Sequence, residues 1–142
     1  MRYPELRWGT IMVVAITIII ADYFWLGYIA KPMYDHLRMV LNPGISKSKL
    51  PYRIIPAILA YIAMVISLST LSVPNVTTNK GTIERIKSAL MWGGMWGLAV
   101  YGTYDMTNLA VIQSFPTSTA LIDALWGLIL GSLGAFTGSY AQ

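Results

Sequence analysis

The sequence has no cysteine and a single histidine, His36, and charged residues make up only 11% of it. Without cysteine there is no disulfide framework, no thiolate nucleophile and no sulfur-ligated metal, and one histidine rules out a multi-histidine metal centre. Soluble domains carry roughly 25% charge, so the shortage disfavours a soluble fold, while a hydrophobic content of 56% excludes a disordered chain. Also missing are a Gly-x-Ser-x-Gly elbow, a Walker-type loop and a His-Glu-x-x-His pair. Catalysis is left with paired aspartates acting as acid and base, with no substrate indicated, so a non-enzymatic role is the favoured reading. Ten basic residues against six acids give a formal charge of +4. That excess lies between apolar runs, with no basic stripe interleaved with aromatics, which excludes nucleic acid as a partner and points to lipid headgroups.

What the chain does have is long apolar runs. Its 142 residues allow one domain, expected to be a single integral membrane domain over 1–142, all-α, in which four helices form a transmembrane bundle. The expected spans are 8–30, 54–73, 89–112 and 119–138. The first would be about 34 Å long at ~1.5 Å per residue, enough to cross a ~30 Å hydrocarbon core with slight tilt. Met1 to Arg7 imitates a signal-peptide n-region, but the apolar run after it is too long for an h-region, so it reads as a retained anchor. Between spans one and two, 32–41 reads as an interfacial helix: Met33, Leu37, Val40 and Leu41 share a stripe, Asp35, His36 and Arg38 fall elsewhere, and Asn42-Pro43-Gly44 ends it. Four crossings put both termini on one side, face A. The Lys/Arg bias gives no orientation: Arg2, Arg7, Lys80, Arg85 and Lys87 on face A balance Lys31, Arg38, Lys47, Lys49 and Arg53 on face B.

Three of the six acids lie inside the apolar runs: Asp22, Asp105 and Asp123. Alternate crossings put all three in the face B half, on the order of 5 to 10 Å from the midplane. A carboxylate near the bilayer centre costs roughly 2.5 to 3.5 kcal/mol, so such groups turn inward and find partners. Tyr101 and Asn108 share the helical face of Asp105, with Thr103, Tyr104 and Thr107 nearby. Trp25 and Trp126 each stand three residues after an aspartate, which brings each indole N–H within reach of the carboxyl on its own helix. Three converging carboxyls cannot all ionise in a dry space, so one must hold a proton unless a cation occupies the site. Such a site would take protons, a hard cation or a small polar ligand from face B. Oxygen ligands suit magnesium or calcium better than zinc, and no particular metal or cofactor is indicated. The competing reading is that protonated aspartates simply hydrogen-bond helix to helix.

Small residues form a second pattern. Gly93 and Gly97 in span three, and Gly127, Gly131, Gly134 and Gly138 in span four, have the spacing that lets helix backbones approach closely, which predicts a tight pairing of spans three and four. Trp8, Trp92, Trp96 and Tyr140 read as lipid-facing or interfacial aromatics and His36 as a solvated interfacial residue.

The strings Asp22-Tyr-Phe-Trp25-Leu26-Gly27, Tyr101-Gly-Thr103-Tyr104-Asp105-Met-Thr107-Asn108-Leu109-Ala110 and Asp123-Ala-Leu-Trp126-Gly127 resemble a family of small membrane proteins of bacteria and large DNA viruses, the domain of unknown function twenty-one seventy-seven. The resemblance covers most of the chain. It implies a four-span bundle in a bacterial inner membrane or an internal viral membrane, and brings no activity, substrate or cofactor with it. Two functions are therefore weighed. In one, Asp22, Trp25, Tyr101, Tyr104, Asp105, Asn108, Asp123 and Trp126 form a ligand- or proton-binding site of a transport-like or sensing protein. In the other, the chain is a structural subunit of a larger membrane assembly, viral or cellular. The glycine faces suit contacts within a chain or between copies equally, so a homo-oligomer stays open.

Overall fold

The computed structural model describes residues 7–46 and 53–142. The residues before Arg7 that imitate a signal-peptide n-region, together with Lys47 and Lys49, lie outside the described residues. The rest is helical, without a strand among the described residues. Five rods follow in order: α1 (Trp8–Ile29), α2 (Lys31–Leu41), α3 (Ile54–Asn75), α4 (82–111) and α5 (Thr117–Ala141).

Helices α1, α3 and α5 are each long and apolar enough to cross a membrane. The expected third span, 89–112, is the inner part of α4, which does not reach that standard because Thr103, Asp105, Thr107 and Asn108 dilute its apolar side chains. The amphipathic lead carrying Glu84, Arg85 and Lys87 is continuous with it. At its surface Lys87 lies 2.8 Å from Glu84 and holds that exposed carboxyl below the usual carboxylate range. Three rods contain a wide π-turn, at Trp25–Ile29, Leu68–Ser72 and Leu90–Gly94.

Helix α5 is the centre: 56% of its apolar stretch is buried inside the bundle, against 22% for α1 and 17% for α3. Against it α1 turns Thr10, Val14, Ile18 and Asp22, spaced four apart on one face. Thr10 Oγ1 donates to the Ala141 carbonyl at 2.9 Å, and the Thr17 and Thr137 hydroxyls meet at 2.9 Å, so α1 and α5 run antiparallel. Leu68 and Val73 of α3 complete the core with Leu130 and Ala135. The outer surface carries Ile16, Ile20, Ile58, Leu59, Leu121 and Leu125, all exposed, as a bundle solvated by lipid requires.

The start of α1, the end of α5 and the residues leading into α4 share one end of the bundle, end A, where the Arg85 guanidinium lies 4.0 Å over the Tyr140 ring. At the opposite end, end B, the chain breaks at Ala30 (φ −94°, ψ 3°) and restarts as α2 with Pro32 in its first turn, where a missing N–H costs nothing. Helix α2 lies over end B with Leu37 buried against Phe115 and Ala120, and His36 exposed. Its expected polar face holds except at Asp35, which is buried: Lys31 lies 2.6 Å away, one turn back, and its charge lets the carboxylate sit against the protein.

The helices that meet most closely are α4 and α5. A Cβ built on Gly97 would fall 1.8 Å from the Gly127 carbonyl oxygen, one on Gly93 2.2 Å from the Gly131 oxygen, and one on Gly131 2.1 Å from the Gly93 oxygen. The tight pairing expected from the glycines is therefore carried by four of them. Gly134 and Gly138 turn elsewhere, to Leu68 of α3 and to Val14 and Val73, because α5 is surrounded and its successive turns meet different neighbours. At Gly102, by contrast, nothing lies within 4 Å of a built Cβ. Gly97→Ala should cost about 1–3 kcal/mol through overpacking against backbone that cannot yield, while Gly102→Ala should be neutral or slightly stabilising through helix propensity. Thermal unfolding of the two variants in detergent micelles checks the contrast.

Candidate functional site

In the half of the bundle nearer end B, one polar cluster draws side chains from all five helices. At its base is Asp22 of α1, buried, with both carboxyl oxygens engaged: Oδ1 accepts from the Trp126 indole of α5 at 2.8 Å and Oδ2 from the Tyr61 hydroxyl of α3 at 2.8 Å. The Trp25 indole, one turn after Asp22, stacks on Trp126 with centroids 4.4 Å apart and planes 4° from parallel. That stack holds the Trp126 ring in the plane from which its N–H meets Asp22. Three helices are thus clasped at a single carboxyl.

One turn towards end B from Trp126, Asp123 accepts a hydrogen bond at Oδ1 from the Tyr34 hydroxyl of α2. The Trp25 N–H faces this hydroxyl without closing a hydrogen bond. On α4, Asp105 is completely buried and neither of its oxygens has a hydrogen-bond partner. It lies within electrostatic reach of Asp123, which is in turn within reach of Asp22. Tyr101, four residues before Asp105, is within reach of all three carboxyls and of Tyr61. Among the described residues, no lysine, arginine or histidine pairs with any of the three. Nor is any group of three His, Cys, Asp or Glu side chains among them placed to hold a metal ion.

Of the expected site residues, Asp22, Trp25, Tyr101, Asp105, Asp123 and Trp126 come together. Tyr104 does not: it is 58% exposed on the outer face of α4, since a neighbour of Asp105 in sequence is turned about 100° away around the helix. Asn108 is half-buried and gives no hydrogen bond to the cluster, and Thr103 and Thr107 face outward. The indoles also differ from expectation. Trp126 donates to the aspartate of α1, not to that of its own helix, and Trp25 stacks where it was expected to donate, because the facing helix offers the better-placed acceptor. Trp96 is half-buried, its N–H 3.2 Å from Ser67 Oγ, and so is not a lipid-facing ring.

The sequence reading missed Tyr34 and Tyr61. Tyr61 sits in a span without acids, where nothing in the sequence sets it apart from the apolar residues around it. The signal for Tyr34 was its place with Leu37 and Leu41 at positions i, i+3 and i+7, a stripe that marks the buried side of α2.

The family model described as Predicted membrane protein (DUF2177) matches residues 8–140, and the chain belongs to that family. No curated protein and no solved structure matches it. Membership agrees with the apolar rods and places the chain in a lipid bilayer.

The clasp at Asp22 makes a quantitative prediction. Trp126→Phe and Tyr61→Phe each remove one donor and keep the ring, and each should cost about 1 kcal/mol. Together they strand Asp22 without a partner, so the double variant should lose more than the sum. A double-mutant cycle on unfolding in micelles measures the excess.

Proposed function

We propose that this DUF2177 protein spans the membrane four times and handles protons within it, Asp105 and Asp123 sharing a proton taken up from end B. The carrying observation is Asp105, a fully buried carboxyl with both oxygens unpartnered. Ionised, it would be an uncompensated charge beside a second carboxyl in a dry interior, where an unpaired ion costs far more than its neutral form. Protonated, it is a neutral acid that the dry interior tolerates, and its repulsion with the Asp123 carboxyl is relieved. Asp22 is different: with two donors on it, it is held as a fixed acceptor that ties the bundle.

A proton is favoured over a metal because the described donors do not group as a metal site. The fourth span in this reading is α4. At ~1.5 Å per residue it is about 45 Å long, and it pairs with α5 through glycine contacts that leave no room for lipid between them. With α1 and α5 antiparallel, both ends of the described chain lie at end A.

Infrared spectroscopy of the protein in liposomes tests the reading. At neutral pH the exposed acids are ionised, so a protonated-carboxyl C=O stretch should come from the cluster alone. It should fade as the pH is raised and shrink in Asp105→Asn. Absence of the band at neutral pH, or a band there that Asp105→Asn and Asp123→Asn both leave unchanged, would overturn the proposal. Acidification of dye-loaded vesicles under an imposed potential separates a carrier, which moves protons, from a sensor, which only binds them.

A further inference from the structure

We propose that Tyr34 is the relay through which the Asp123–Asp105 pair exchanges protons with water at end B, an inference that rests on the proton-handling reading. Towards end B the two carboxyls are covered by apolar side chains. Leu109 follows Asp105 by one turn on its own face, Ile112 stands just past the end of α4, and Ala120 precedes Asp123 by one turn. Leu37 and Leu41 of α2, with Phe115, pack onto these three and close the approach. Among the described residues, the hydroxyl hydrogen-bonded to the carboxyl pair is that of Tyr34. This side chain is half-buried and leaves α2 between its apolar contacts and its charged outer side, with its hydroxyl on Asp123, so it reaches from the end-B helix into the cluster.

The groups around Tyr34 suit the task. Asp123 on α5 accepts its proton, Tyr101 on α4 lies within electrostatic reach, and the Trp25 N–H of α1 faces its oxygen without being bonded to it. Its own helix adds Lys31, Asp35, His36 and Arg38. Beyond Asp123 stand Asp105 and Asp22, the latter already bound by Tyr61 and Trp126. In the relay step, hydrated H⁺ at end B delivers a proton to Tyr34 Oη while the proton already on Oη passes to Asp123 Oδ1. Tyrosine ends neutral, the carboxylate ends as the acid, and one positive charge has moved inward. Rotation about the phenolic C–O bond resets the donor, and Asp123 then shares the proton with Asp105.

Hydrogen–deuterium exchange of the buried acid reads this step directly. Full-length protein in liposomes is transferred to D2O, and the downshift of the protonated-carboxyl band is followed in time. Tyr34→Phe keeps the ring and its packing and should slow the downshift about tenfold or more, with the band itself retained. Leu37→Ala loosens the apolar seal and keeps the hydroxyl, and should exchange at least as fast as the unaltered protein. A Tyr34→Phe protein that exchanges at the same rate or faster would overturn the relay, since the side chain would then be a plug or a bystander. Slowing in Leu37→Ala equal to that in Tyr34→Phe would overturn it too, by assigning the effect to the seat of α2. If the unaltered protein shows no band, the proton-handling reading falls and the relay falls with it. A band present with exchange indifferent to Tyr34 removes the relay alone.

Discussion

Backbone contact between α4 and α5 sets where the polar chemistry lies. Where Gly93 and Gly97 meet Gly131 and Gly127, the two helices approach until main chain touches main chain, without side chains between. In lipid, apolar side chains gain little from leaving one hydrocarbon for another, and close van der Waals contact of this kind becomes a main source of helix association. The contact also fixes rotation. With Gly97 against α5, Tyr101 and Asp105, four and eight residues further along α4, point the same way. Asp105 thereby ends up inside the bundle rather than in the acyl chains.

The three aspartates then share a neighbourhood and differ in everything else. Asp22 is saturated by donors from two other helices, and the Trp25–Trp126 stack makes that arrangement rigid. Asp123 is tied once, by a helix lying at the end of the bundle. Asp105 is not tied at all. Desolvation acts on all three carboxyls, and the number of donors on each decides what it can do. A saturated carboxyl is a structural acceptor, while a bare one needs a proton to be tolerated.

Most of the architecture could be read from hydropathy and spacing, because both are one-dimensional signals. The apolar runs gave the rods, the i, i+4 spacing of Gly93 and Gly97 and of Gly127 and Gly131 gave the α4–α5 contact, and three acids without basic partners marked the candidate site. The cross-helix pairings were beyond that kind of reading. Nothing local in Asp123-Ala-Leu-Trp126 says that the indole reaches Asp22, because that depends on how α1 is rotated against α5. Tyr61 was invisible for the same reason: a tyrosine in an apolar run reads as a large hydrophobe until a carboxyl is placed opposite its hydroxyl. Tyr104 failed in the other direction, since adjacency in sequence is a quarter-turn of separation on a helix.

The wide turns have a bearing on how this chain tolerates insertion and deletion. A π-turn carries one residue more than the α-turn it replaces, so the segment Leu90–Gly94 is a register spacer set just ahead of Gly97, Tyr101 and Asp105. Removing a single residue there would let the wide turn tighten into a regular α-turn and leave everything downstream with its rotation unchanged, because the extra residue is absorbed within that one turn. The glycine seam would still face α5, and the aspartate would stay inside the bundle. A one-residue gap at this turn is thus far less disruptive than one between Gly97 and Asp105, where the helix is regular and a lost residue turns everything beyond it by about 100°.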